Sequence, residues 1–154
     1  MVAPLMSHLI CTTALIALIV LMPFYFFYIT NSVTNDITRR ELKEVSDYVS
    51  NSLANLYFLA NSTDLDVVLR KDLDLPREIH GKSYYTEIAY DENNASALYV
   101  TSRLMDNDQI YGNSWILRGL DANLDNCVID SSREAVFAEC VSNASGFWIA
   151  LKEG

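Results

Sequence analysis

Residues 15–30 read LIALIVLMPFYFFYIT, and the first charged side chain of the chain, Asp36, comes only after them. An apolar run of this kind serves as a disposable export signal, as a membrane anchor, or as the packing core of an assembly. From Leu5 to Ile29 a helix would span roughly 37 Å at about 1.5 Å per residue. A bilayer's hydrocarbon layer is about 30 Å thick. A cleaved signal has a basic start, a shorter apolar centre and a small-residue cleavage site. No Lys or Arg precedes this run, and it ends in Phe24, Tyr25, Phe26, Phe27 and Tyr28. Tyrosines at the end of a span suit a membrane–water interface, where the ring stays apolar and the hydroxyl is wetted. The run therefore reads as a retained membrane helix. His8 lies near its start. An ionisable group inside a span is a functional candidate, and the plainer reading is a neutral residue at the membrane surface.

Outward from the run, the composition splits in two. Residues 1–35 carry no Asp, Glu, Lys or Arg, so the whole net charge of -9 lies in residues 36–154. That remainder is acidic and rich in Tyr, and is large enough for one modest core. It has no basic stripe. Nucleic acid, whose phosphates need Lys and Arg neighbours, is not an expected partner.

The helical pattern continues past the apolar run, into TNDITRRELKEVSDYVSNSLANLYFLANST. Leu42, Val45, Val49, Leu53, Leu56 and Ala60 follow steps of three and four, the spacing of a packing seam. Arg40 and Glu44 lie off the stripe, four residues apart, where they can pair. No Gly or Pro interrupts residues 24–60, and the first stop signal is Asn61-Ser62-Thr63. One helix is expected from near Leu5 to near Ala60, apolar all round in its first half and amphipathic in its second. Pro23 removes a backbone donor and should kink it. The stretch NSVTN (31–35) is poor in helix formers, and a break there into two helices is the competing reading.

Beyond Thr63 the period changes to two. The stretch 65–74 alternates patchily, and Pro76 and Gly81 frame a turn. SYYTEIAY (83–90) puts Tyr84, Ile88 and Tyr90 on one face, and SALYVTSR puts Leu98 and Val100 on one face. DENN (91–94) is a hairpin turn signal. DNDQIYGN (106–113) reads as a loop before a short apolar piece, SWIL. EAVFAECV and GFWIALK flank SNAS, a second hairpin signal. The expected fold class is α+β: a long hydrophobic-to-amphipathic helix (1–62), then a small antiparallel β-sheet or sandwich head (63–154) covered by the helix's stripe.

Which side of a membrane the head faces is read from conflicting signals. Arg39, Arg40 and Lys43 follow the apolar run, which by charge favours a cytoplasmic head. Three N-x-[ST] sequons, at Asn61, Asn94 and Asn143, favour an exported one. So do Cys127 and Cys140, which flank VIDSSREAVFAE, a stretch that reads as two strand ends around a turn. A disulfide there would close a short loop, stabilise by roughly 3 kcal/mol in the chain-entropy model, and belong outside the cytosol. The other reading is two buried thiols. Cys11, in the apolar run, reads as a small lipid- or helix-facing residue. The basic residues are interleaved with Asp36, Glu41, Glu44 and Asp47, so the head is placed outside the cytoplasm.

A search for chemistry yields little. HGKS (80–83) has the tail of a phosphate loop, but the position needing the first glycine is Pro76. DNDQIYG (106–112) has the flavour of a calcium loop, with its Gly one residue late and no Glu at the right distance. With two histidines, His8 and His80, no nucleophile–base set is marked. No catalytic residue, metal or cofactor is expected.

The residues above resemble archaeal type IV pilin-like proteins, the group of archaeal adhesion pilins and archaellins. The likeness lies in the apolar helix continuing into an amphipathic half, the β-rich head with sequons, and the passage LDLPREIHGKSYYTEIAY (73–90). It implies a structural subunit whose apolar helix packs with copies of itself or with other pilin-like subunits in a filament core. The heads would face outward, and there would be no catalytic site. Prepilins carry a basic leader and peptidase site just before the apolar run. MVAPLMSHLI shows neither, which favours a minor or membrane-resident subunit. The alternative from another class is a single-pass anchor whose outer head binds a partner or ligand. CTTALIA (11–17) supplies small residues, Thr12, Thr13, Ala14 and Ala17, that would permit close helix approach.

Overall fold

A single helix, α1, runs from Ala3–Asn61 in the computed structural model, which describes residues 3–63, 66–91, 94–116, 122–125, 127–133 and 135–153. The helix is continuous through Pro23 and through NSVTN, so the alternative of two separate helices is not what forms. Thr12 and Thr13 donate their hydroxyls to the carbonyls of His8 and Leu9, at 2.7 and 2.8 Å, and Thr34 does the same to Thr30 at 2.9 Å. The polar atoms of these threonines are thus satisfied within the helix, as an apolar surrounding requires. At the far end, the hydroxyls of Ser62 and Thr63 both donate to the Leu59 carbonyl at 2.8 Å. Both bonds occupy one carbonyl of the last helical turn, whose carbonyls lack partners within the helix.

The chain divides into two compact units, residues 1–37 and 38–154. The boundary falls within α1, not at its end, because the amphipathic half of the helix is core of the second unit. Among the described residues eight strands follow it: β1 (Val67–Leu73), β2 (Tyr84–Asp91), β3 (Asn94–Leu104), β4 (Tyr111–Trp115), β5 (Ala122–Asp125), β6 (Val128–Asp130), β7 (Val136–Asn143) and β8 (Gly146–Glu153). They form two four-stranded sheets, ordered β1-β7-β8-β5 and β4-β3-β2-β6. All pairs are antiparallel except β5 with β8, which is parallel.

The stripe read from the sequence is the core. Leu42, Val45, Val49, Leu53, Leu56 and Ala60 are all buried. Val49, Leu53, Leu56 and Ala60 join Ala138, Cys140, Ile149 and Leu151 from one sheet and Ile88, Leu98, Val100 and Ile129 from the other in one apolar cluster. Leu42 and Val45 join a second cluster with Ile79, Tyr84, Leu104 and Ile110. The helix therefore packs with side chains of both sheets, where the sequence reading has it covering one face.

Two local expectations are revised. VIDSSREAVFAE does contain a turn, with the Ser132 amide donating to the Asp130 carboxylate at 2.8 Å. Its flanking strands, β6 and β7, lie in different sheets, so the segment carries the chain between sheets. Tyr90 shares the parity of buried Tyr84 and Ile88 yet is exposed, because the β2–β3 ladder shifts register beside it. The two middle residues of the expected DENN turn lie outside the described residues, and Asp91 and Asn94 face each other across it. The SNAS hairpin forms, with Asn143 opposite Gly146 and the Ser145 amide bound to the Asn143 side chain at 2.8 Å. At the Pro76–Gly81 turn, His80 and Gly81 take φ of 52° and 73° between bridged Ile79 and Lys82. Positive φ at both central positions is the signature of a tight hairpin turn.

Candidate functional site

Two surfaces carry chemistry. The first is the apolar half of α1. Leu15, Ile16, Leu18, Ile19, Leu21, Phe24, Phe27 and Tyr28 are each more than half exposed. A large contiguous apolar surface without cover marks a membrane or protein contact. By length and composition this is one helix able to cross a membrane.

The second is the outward face of the β4-β3-β2-β6 sheet. Alternation along β3 turns Leu98, Val100, Ser102 and Leu104 inward, all of them buried. Tyr99, Thr101 and Arg103 take the opposite face. Register then sets Tyr99 beside Trp115, Thr101 beside Asn113 and Arg103 beside Tyr111 on β4. On the β2 side it sets Tyr85 beside Arg103 and Glu87 beside Thr101. Rings of Tyr99 and Trp115 meet edge to face, with centroids 6.0 Å apart. Arg103 is held by a 3.1 Å ion pair to Glu87, and its guanidinium lies 5.9 Å from the Tyr111 ring centre. Trp115 is 55% exposed and Tyr111 50% exposed, although both stand on a paired strand. A cavity of about 290 Å³ opens among Asp91, Tyr99, Thr101, Arg103, Tyr111, Asn113 and Trp115. Arg103 lines the cavity, and its Nε, buried beneath the surface, has no hydrogen-bond partner. An unmet buried donor costs about 1–3 kcal/mol.

This face is held rigidly from beneath. Ser46 on α1 donates to the Gly112 carbonyl at 3.0 Å and is bonded to the Ser102 hydroxyl at 2.9 Å. Ser102 is bonded in turn to Thr86 at 2.9 Å. Ser50 donates to the Trp115 carbonyl at 2.8 Å, so the backbone under the exposed indole is anchored to the helix. On the same helix, burial works against ionisation of Asp47. Hydrogen bonds from Ser114 and Lys43, with the charge of Lys43, outweigh it and hold the carboxyl below its ordinary value. Burial raises the Tyr85 hydroxyl, and nearby Asp108, which accepts its hydrogen bond, adds to the shift.

The residues singled out from the sequence sit as follows. Asn61 and Asn143 are exposed, whereas the Asn94 side chain lies outside the described residues. Among the described residues no disulfide forms: the sulfurs of Cys127 and Cys140 are thiols, both in or against the larger core cluster. Cys11 is exposed on α1. His80, in its turn, lies 3.2 Å from Glu41. A second cavity, of about 410 Å³, is lined by Glu41, Glu44, Asp74 and Glu78 among others. Among the described residues no group of three His, Cys, Asp or Glu side chains is placed to hold a metal ion. The aromatic sheet face was missed from sequence, because its residues come from two segments that only the register brings together.

Burial pushes the Cys140 thiol up from 9.0 to about 11, and raises the Tyr84 phenol as well. The folded state keeps a proton that the unfolded chain sheds, so this stability is present below pH 9 and is lost as pH rises toward about 11. Denaturant melts of the reduced protein should show the wild type losing stability over that window. Cys140→Ala should lose less across it, despite a lower starting value.

Comparison with protein-family models, with curated proteins and with solved structures finds no significant match.

Proposed function

We propose that the chain is a structural subunit of a cell-surface filament of the archaeal type IV pilus kind. In this reading the apolar half of α1 packs in the filament core and the β-rich head is exposed. One observation carries it. A single helix is uncharged and uncovered over its first half, and becomes the hydrophobic core of a β-rich head over its second. A helix that only anchored the head would need no such continuity, since a linker would serve. The head lies outside the cytoplasm, where Asn61 and Asn143 are open to glycosylation and an oxidising medium can join Cys127 to Cys140. A stationary single-pass anchor with a binding head is the second reading. It is favoured by an apolar length that matches one bilayer crossing.

The two readings separate by fractionation. Material sheared from the cell surface should react with an antibody to the head and appear as labelled filaments in micrographs. Recovery only with washed membranes would reject the filament. Mass spectrometry without reductant should find Cys127 linked to Cys140 and glycan on an accessible sequon. Free thiols with bare asparagines would place the head in the cytoplasm.

A further inference from the structure

We propose that the outward face of the β4-β3-β2 sheet is a binding site for a neutral saccharide. Trp115 and Tyr99 would take the C–H faces of the sugar rings, and Arg103, Asn113 and Asp91 would bond its hydroxyls. The inference rests on the head alone and holds whether α1 enters a filament or a bilayer.

Charge selects the ligand. Among the described residues the cavity's lining holds one cation, Arg103, and one carboxylate, Asp91. Arg103 already takes a cation's place beside the rings, its guanidinium 5.9 Å from the Tyr111 centre, so a quaternary ammonium group finds that position filled. Around the cavity, Glu87 and Asp108 join Asp91 in a chain of net charge -9, so a polyanion is repelled as well. An apolar helix or lipid is poorly served by a floor of Thr101 and Asn113. What remains is an uncharged ligand with both apolar faces and many hydroxyls. Trp and Tyr offer that combination of apolar body and polar tip.

Geometry agrees. Tyr111 and Trp115 stand four residues apart on one strand, about 14 Å at about 3.4 Å per residue, room for a short oligosaccharide along the sheet. The edge-to-face Tyr99–Trp115 pair offers a shallow corner instead of a closed box. The Arg103 side chain, 34% exposed, lines this corner, and the accessible part of its guanidinium is a donor that a sugar oxygen would meet. The hydroxyl chain from Ser46 and the Ser50 bond hold β4 in place before a ligand arrives, so little ordering is needed on binding.

The test uses the full chain in a detergent without a sugar headgroup, carrying Trp148→Phe so that Trp115 is the sole indole. Its emission is followed while maltotriose, cellotriose, mannotriose and chitotriose are added, with choline and a sulfated oligosaccharide in parallel. At least one neutral trisaccharide should give a saturable change. By calorimetry, Trp115→Ala should weaken that binding by at least about tenfold, and Trp115→Phe should retain most of it. Circular dichroism should show both variants folded. The proposal is overturned if no neutral trisaccharide binds, if choline or the sulfated sugar binds instead, or if folded Trp115→Ala binds as the parent does.

Discussion

Gly112→Ala is expected to unfold the head. A Cβ at this position would lie inside 3.0 Å of the backbone of Leu42 and Lys43, which cannot swing aside as a side-chain tip can. Gly112 also gives its carbonyl to Ser46, so the strand cannot retreat without breaking that bond and the Ser102–Thr86 bonds behind it. Overpacking against flexible neighbours costs about 1–3 kcal/mol. Here both sides are backbone, and the loss should exceed about 3 kcal/mol, a large part of a typical domain's stability. Gly81→Ala supplies the contrast. Nothing lies within 4 Å of its Cβ position, and its φ of +73° is the only obstacle. That substitution should cost about 1–2 kcal/mol. Denaturant melts of the full chain in detergent, followed by circular dichroism, should rank the two in that order. Equal losses would mean that strand and helix are less closely seated than the structure has them.

The contrast between these glycines shows where the sequence was readable. Gly81 follows a proline-framed turn and reads as a turn residue, which it is. Gly112 sits in DNDQIYGN, and the same habit of reading makes it loop. Its reason is a close backbone approach between a strand and a helix far apart in sequence, and no local pattern carries that. The helix, by contrast, was legible almost to the residue. Its two signals are local: a stripe at steps of three and four, and the absence of Gly and Pro from 24 to 60. The β7–β8 hairpin was legible through SNAS for the same reason. β5 was not, since its partner β8 lies beyond two further strands and runs parallel to it. The aromatic face falls between these cases. Alternation in SALYVTSR already puts Tyr99, Thr101 and Arg103 together. Their pairing with Tyr111, Asn113 and Trp115 needs a register, and a slip of one residue would send those side chains to the other face.

Ile16→Lys with Ile19→Lys is expected to abolish membrane retention and, on the reading proposed above, filament formation with it. Both side chains are more than half exposed in the middle of the apolar half of α1. Each charge at the centre of a span costs about 2.5–3.5 kcal/mol, so two together cost roughly 6 kcal/mol. The protein should shift from the washed-membrane fraction to the soluble fraction or to aggregates, and a double variant that stays in membranes would reject the membrane reading of the helix. Loss alone does not tell lipid from neighbouring helices, because charge is unwelcome in both. Ala14→Leu with Ala17→Leu does. Lipid tails accept leucine as readily as alanine, so a lipid-facing helix keeps its place or gains. Helices packed through small residues need the close approach that leucine prevents. If the helix works in a filament core through this seam, the leucine variant should remain in washed membranes while sheared filaments disappear. Filaments that persist would move the seam to another face of α1, and the bulky residues from Leu18 to Tyr28 would then have to interdigitate to make it.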